Sequence, residues 1–247
     1  MSFEIEFERA GVIKTIADTI KDLNQVVVFN ISEQYGMYMQ AMDSAAVSLC
    51  ELKMPLASFK RFQTLDASEK YSVGIHIGAL TMVMKCFNSD KKIIMKMDST
   101  DKVILTDGEQ FTFHLSLVDV NADTLELPYT VYTTCIKMKS DFVRKLMHDM
   151  GEFGSRCSFS SKQQALTIEF SGGMYGNACV EVKDVCVGED LSHPLVMSLR
   201  HMKIFSKASA LGDDVVIEAV AGLPLKITYG FGGDCLLTFF LAPQIHD

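Results

Sequence analysis

The chain has 247 residues, 48 % apolar and 22 % charged, enough to bury the cores of two domains of ordinary size. A net charge of −8 argues against a surface that binds nucleic acid all over, and leaves room for one locally basic face. No run approaches the roughly 18 apolar residues of a membrane span. The start, Met1-Ser2-Phe3-Glu4-Ile5-Glu6, lacks the basic and apolar regions of a signal peptide, and seven scattered cysteines without a C-x-x-C point to reduced thiols inside a cell.

Phe3, Ile5 and Phe7 alternate with polar residues and predict a half-buried strand. Val12, Ile13, Ile16, Ile20 and Leu23 then recur at helical spacing through residues 9–23. Strands follow at Val26–Ile31, Met37–Met42 and Val47–Leu52, with a turn at Tyr35-Gly36 and a polar loop at Thr64–Lys70. A strand at Tyr71–Ile77 leads into a helix near 79–87, and strands run through 93–97, 102–106 and 110–117. The second half repeats this order: strand 132–138, helix 141–152, strands near 156–160, 165–171, 177–183 and 194–199, helix 200–209, and strands 214–220, 224–230 and 234–241. Strands outnumber helices, so the fold class is α+β, with two topologically similar domains of two helices each.

The duplication is visible in residues. Leu80–Cys86 aligns with Met202–Ala208 without a gap, placing Lys85 opposite Lys207. Ile93-Ile94-Met95 follows the first segment and Val215-Val216-Ile217 the second. Between the halves, Asp119–Pro128 is acidic, ends in proline and fits neither period, so it reads as an extended connector. The division is therefore a first domain over 1–117, a connector over 118–131 and a second domain over 132–247. Leu125 and Leu127 sit two apart and project to one side of an extended segment, against the adjoining domain or a partner.

No catalytic constellation stands out. The histidines form no H-x-x-x-H or H-E-x-x-H, and Cys179 and Cys186 have no zinc spacing. Gly172-Gly173 and Gly230–Gly233 open no phosphate loop, and Asp213-Asp214 reads as a turn before a strand. The chain is expected not to be an enzyme and to carry no cofactor and no metal. Charge on the helices is more telling. Arg200, Lys203 and Lys207 share one face, with Leu199, Met202 and Phe205 opposite; Lys14 and Lys21 share another, with Asp18 between them. Arg144, Lys145 and His148 cluster on the third helix in chain order, and Lys85 marks the second. Positive charge gathered on helices of an acidic protein suits sequence-independent contact with phosphates.

Met42-Asp43-Ser44-Ala45-Ala46-Val47-Ser48-Leu49, Leu223-Pro224-Leu225 and Leu241-Ala242-Pro243-Gln244-Ile245 resemble the proliferating cell nuclear antigen (PCNA) family of sliding DNA clamps. Lys21-Asp22-Leu23, Lys85-Cys86, Gly176-Asn177, Leu199-Arg200 and Phe205-Ser206-Lys207-Ala208 extend the resemblance over essentially the whole chain. It implies a DNA-clamp fold, three protomers closing a ring, sheets outside and four helices per chain lining the hole, and a nuclear or viral replication setting. It also implies loading onto double-stranded DNA, held independently of sequence, and partners that include DNA polymerase, the clamp loader, ligase and nucleases, with no membrane. The DNA-facing positions would be Lys14, Lys21, Lys85, Lys145, His148, Arg200, Lys203 and Lys207. The pocket for a Q-x-x-[Ile/Leu/Met]-x-x-aromatic-aromatic peptide would be Met42, Val47, Leu49, Leu125, Leu127, Pro128, Tyr132, Leu223, Pro224, Phe240, Leu241, Ala242, Pro243 and Ile245. The family pattern is broken at Met82 and Gln244, where lysine is usual, at His148 (arginine), at Phe240 (tyrosine) and at Ala45-Ala46 (Ser-His). Lys162 lies near a hairpin where relatives carry a regulated lysine. Two alternatives stay open: a checkpoint-type clamp subunit that needs different partner chains to close its ring, and a metal- or nucleotide-dependent enzyme using Asp213-Asp214 or the glycine turns.

Overall fold

The computed structural model describes residues 2–99, 101–119, 125–127, 130–183, 185–220 and 222–244. Its backbone gathers into two compact units, one made of Met1–Ser44, Cys50–Glu126 and Phe231–Leu237, the other of Ala45–Leu49, Leu127–Gly230 and Thr238–Asp247.

The first unit starts with β1 (Phe3–Phe7), whose alternating Phe3, Ile5 and Phe7 are buried. In α1 (Ala10–Ile20), Ile13, Ile16, Ala17 and Ile20 bury one face, and Lys21 caps the C-terminus. The β-branched run Val26-Val27-Val28 opens β2 (Val26–Ser32), which turns back into β3 (Gly36–Met42). Gly36 makes that turn at φ +79°, and a Cβ there would lie 2.2 Å from the Met54 carbonyl oxygen, so both conformation and space require glycine. β4 (Ser48–Met54), β5 (Arg61–Thr64), β6 (Tyr71–His76), α2 (Ile77–Met84), β7 (Ile93–Ser99), β8 (Lys102–Thr106) and β9 (Thr112–Ser116) complete the series. They form an antiparallel sheet ordered β5-β1-β7-β8-β9 and a run ordered β4-β3-β2-β6, and α1 packs on α2.

The second series is β10 (Thr134–Lys139), α3 (Ser140–Asp149), β11 (Gly154–Lys162), β12 (Ala165–Gly173), β13 (Gly176–Val182), β14 (Cys186–Val187), β15 (Leu195–Ser198), α4 (Leu199–Ser206), β16 (Asp214–Ala219), β17 (Leu225–Phe231) and β18 (Cys235–Leu241). Its strand orders are β14-β10-β16-β17-β18 and β13-β12-β11-β15, and α3 packs on α4. Shifting each number by nine reproduces the first series strand for strand, so the duplication read in the sequence is a duplication of topology. The core of this unit centres on Phe239, stacked on Phe205 with ring centroids 4.4 Å apart and met edge-on by Tyr229.

Several boundaries differ from the sequence reading. β5 and β14 were not anticipated; they are short and pair only along β1 and β10. The helix expected over 141–152 is α-helical to Asp149 and tightens to a 3-10 turn at Met150–Glu152, where Gly151 weakens the α form. The helix expected over 200–209 likewise gives way to a 3-10 turn at Lys207–Leu211, and that near 79–87 runs Ile77–Met84. The strand expected at 110–117 starts at Thr112, because the Asp107 carboxylate accepts from the N–H groups of Glu109, Gln110 and Phe111 and holds them in a turn. Those bonds keep Asp107 below its usual carboxylate pKa.

Candidate nucleic-acid and partner surfaces

All eight DNA-facing positions expected from the sequence, seven lysines or arginines and His148, sit on or at the ends of helices, away from the apolar face each helix buries. In the first unit Lys14 is half-buried on α1, and Lys21 and Lys85 are the exposed C-cap residues of α1 and α2. Lys21 lies 2.8 Å from Asp18, an exposed pair of small value to stability. In the second unit Lys145, Arg200 and Lys207 are exposed, and Lys207 caps α4 as Lys85 caps α2. A lysine at a helix C-terminus also meets the negative end of the helix dipole, so these positions have a local structural role as well. His148 is 88 % exposed, with Nδ1 3.2 Å from the Asp149 carboxylate. Lys203 differs from the rest. It is half-buried, and its ammonium lies over Gly151, where a Cβ would come 1.8 Å from Nζ. Arg144 turns to Asp141 at 3.4 Å. Met82 puts an apolar side chain 69 % exposed on α2.

Asp214, half of the aspartate pair, is engaged by Lys139 at 2.7 Å and Lys137 at 3.0 Å, and the Asp213 carbonyl accepts the Ser140 N–H that starts α3. The pair closes a strand–helix junction. Lys162 is the exposed last residue of β11, before a turn whose Gln163 and Gln164 have φ of 52° and 64° and donate their N–H groups to Asp190.

The expected partner residues divide between the units. In the first, Met42 and Leu125 are exposed large apolar side chains; in the second, Val47, Leu127 and Leu223 are. Pro224 and Ala242 are also exposed, Tyr132, Phe240 and Pro243 are half-buried, and Leu49 and Leu241 belong to the core. Pro128 and Ile245 lie outside the described residues. The segment after β18 is tied back by Ala242 N–H to the Val47 carbonyl at 2.9 Å and Gln244 N–H to the Val196 carbonyl at 2.9 Å. Among the described residues the connector is held on the first unit at two places. Val118 N–H donates to the Gly74 carbonyl at 2.9 Å, and the Leu125 peptide group bonds the Gln40 amide at both its N–H and its C=O. Gln40 was missed in the sequence. It sits inside an ordinary strand pattern, and nothing local links it to a residue 85 positions away.

Residues 2–125 match the family model described as proliferating cell nuclear antigen, N-terminal domain. The chain belongs to the PCNA family of sliding DNA clamps. The PCNA of Chaetomium thermophilum is 25 % identical over 260 residues, covering 99 % of this chain and 98 % of that protein. PCNA 2 of Drosophila melanogaster is 26 % identical over 257 residues, with the same coverage. The crystal structure of the PCNA of Entamoeba histolytica superposes with a TM-score of 0.89 over 99 % of this chain and 100 % of that one; at 24 % identity this is a likeness of fold. The PCNA clamp fold, two similar α+β domains in one chain, accounts for the repeated strand order. Among the described residues no helix is long and apolar enough to cross a membrane.

Proposed function

We propose that three copies of the chain close head to tail into a ring around duplex DNA, and that the ring acts in the nucleus, or a viral replication compartment, as a processivity factor for DNA polymerase. The observation that carries this is the pair of unpaired end strands. β9 ends one sheet of the first unit and β13 ends one sheet of the second. Each is an end strand with a free edge, and an open edge invites pairing. A head-to-tail contact of this kind closes into a ring when the rotation per copy fits. The contact would pair Thr112–Ser116 of one protomer with Gly176–Val182 of the next.

In this reading Lys14, Lys21, Lys85, Lys145, Arg200 and Lys207 neutralise phosphates without reading bases, His148 faces the DNA beside them, and the ring's closure holds the DNA. Met42, Leu125, Val47, Leu127 and Leu223 contact an aromatic-ended partner peptide, with Pro128 and Ile245 completing the set. Exposed apolar side chains at a turn and on a connector support this, because such groups on a clamp otherwise gain nothing from exposure. The solution mass of the purified chain tests the ring. Three times 27.4 kDa supports it, and 27.4 kDa at high concentration would favour a heteromeric checkpoint-type ring.

A further inference from the structure

Every polar atom of the Gln40 amide is engaged. Its Nε2 donates to the Leu125 carbonyl at 3.1 Å and to Glu51 Oε1 at 3.3 Å, and its Oε1 accepts from the Leu125 N–H at 2.9 Å. A side-chain amide set against a peptide group in this way imitates the two-bond pair of an antiparallel ladder. Glu51 fixes which way the amide faces. A carboxylate only accepts, so it selects Nε2; the reversed amide would aim its oxygen at both the carboxylate and the Leu125 carbonyl. Glu51 is itself only 6 % exposed and is held by Tyr38 Oη, which donates to Oε1 at 2.9 Å, and by Lys53 Nζ, 2.6 Å from Oε2. Burial, with help from the Glu51 bond, pushes the Tyr38 phenol well above its ordinary range, so it remains a donor.

The connector needs such a hold. Gln40 and Gly74 both face Val28 in register, so they lie two strand spacings apart, about 10 Å. Gly74 anchors Val118 by close approach: a Cβ there would come 2.1 Å from the Val118 carbonyl oxygen. The seven residues from Val118 to Leu125 reach about 23 Å when extended. Chain length therefore leaves the position of Leu125 open, and among the described residues the Gln40 amide holds it.

We propose that Gln40, oriented by the buried Glu51, is a latch that fixes the connector on the first unit and so sets how tightly the partner surface holds a peptide. The proposal rests on the reading that Leu125 and Leu127 contact that peptide. Neither Gln40 nor Glu51 touches the peptide in this account; both are positioning residues. A latched connector has already lost its freedom before binding, and releasing it adds that ordering cost to every capture event.

The test uses the full-length protein, its Gln40→Met, Gln40→Glu and Glu51→Gln variants, and a synthetic peptide of the pattern Q-x-x-Leu-x-x-Phe-Phe. Hydrogen exchange at the Leu125 amide and calorimetric Kd are read together, with melting temperature as the control for folding. Gln40→Met keeps the length and removes all three bonds, two of them to Leu125; Gln40→Glu keeps the acceptor and sets a second carboxylate beside Glu51. Both should speed Leu125 exchange about tenfold and weaken peptide binding about tenfold, the worth of one to two hydrogen bonds, with melting temperature little changed for Gln40→Met and lowered for Gln40→Glu by its like charge. Glu51→Gln puts a group that can also donate beside the amide, so it should speed Leu125 exchange too, by less than Gln40→Met; unchanged exchange in Glu51→Gln overturns the orienting role of Glu51. Unchanged Leu125 exchange in Gln40→Met overturns the latch. Faster exchange with unchanged Kd overturns the coupling. A parent protein that binds no peptide at all overturns the partner reading instead, and is told apart because the exchange difference at Leu125 persists.

Discussion

Replacing His114 by proline should open the ring and leave the protomer folded. Leu117 N–H donates to the Asp101 carbonyl at 2.9 Å and Asp107 N–H to the Phe111 carbonyl at 3.3 Å, while Lys102 faces Ser116 and Thr106 faces Thr112. Antiparallel alternation between those points sends the backbone groups of Phe113 and Leu115 inward to β8. The groups of Thr112, His114 and Ser116 are left on the open edge. Three donors and three acceptors at about 1 kcal/mol net each give an edge worth about 6 kcal/mol per contact. Proline at the central position removes one donor and its ring spreads the neighbouring bonds, a loss of about 2–4 kcal/mol, or roughly thirtyfold to a thousandfold in each contact. Light scattering at micromolar concentration should then fall from three times 27.4 kDa to 27.4 kDa, while His114→Ala stays assembled and circular dichroism stays native for both. Phe113→Pro strikes the inward bonds and should lower the melting temperature of the protomer itself. A His114→Pro protein that keeps the full ring mass would refute the assignment of β9 as the contact edge. Equal damage to the protomer by both prolines would refute the register argument.

Lys145→Gln should lower the magnitude of the salt slope of DNA binding by about 0.9 if it meets a phosphate directly. Lys203→Gln, whose ammonium lies over Gly151, should change that slope less and lower thermal stability more. Leu127→Ala combined with Leu223→Ala should abolish peptide capture in calorimetry with no change in solution mass; binding equal to the parent would place the partner surface elsewhere. Asp214→Asn should destabilise in a pH-dependent way. Hydrogen bonds from Lys139 and Lys137 lower the Asp214 pKa from 3.8, so its contribution is complete above that value and is lost as pH falls through the depressed folded value. The gap in melting temperature between parent and variant should be widest near neutrality and close in strong acid, and a gap independent of pH would count against the lysine pairing.

The parts of the fold that were legible in the sequence are those where burial writes a period. Phe3, Ile5 and Phe7 alternate into the core, and Ile13, Ile16 and Ile20 return every helical turn. Both signals recur in the second half, so the duplication was legible too. β5 was not, because Arg61-Phe62-Gln63-Thr64 becomes a strand only where β1 offers it an edge, and the two residues of β14 carry no pattern. Helix ends were blurred where α gives way to 3-10 turns with the same apolar residues inside. Among the cations, Lys203 and Lys207 look alike by spacing, and only the approach of Gly151 sets them apart. Leu49 and Leu241 were legible as apolar but not as core, since a strand hides which of its faces is covered. The Gln40–Leu125 clamp was illegible because its two halves are joined only by the folded sheet.

The most direct test of the clamp is retention on DNA of different topology. The protein is assembled on a closed circular plasmid, washed at high salt to remove screened contacts, and the DNA is then cut once. Topological linkage predicts that protein stays on the closed circle and leaves once ends exist, at a rate indifferent to sequence. Equal retention on circular and linear DNA would contradict encirclement.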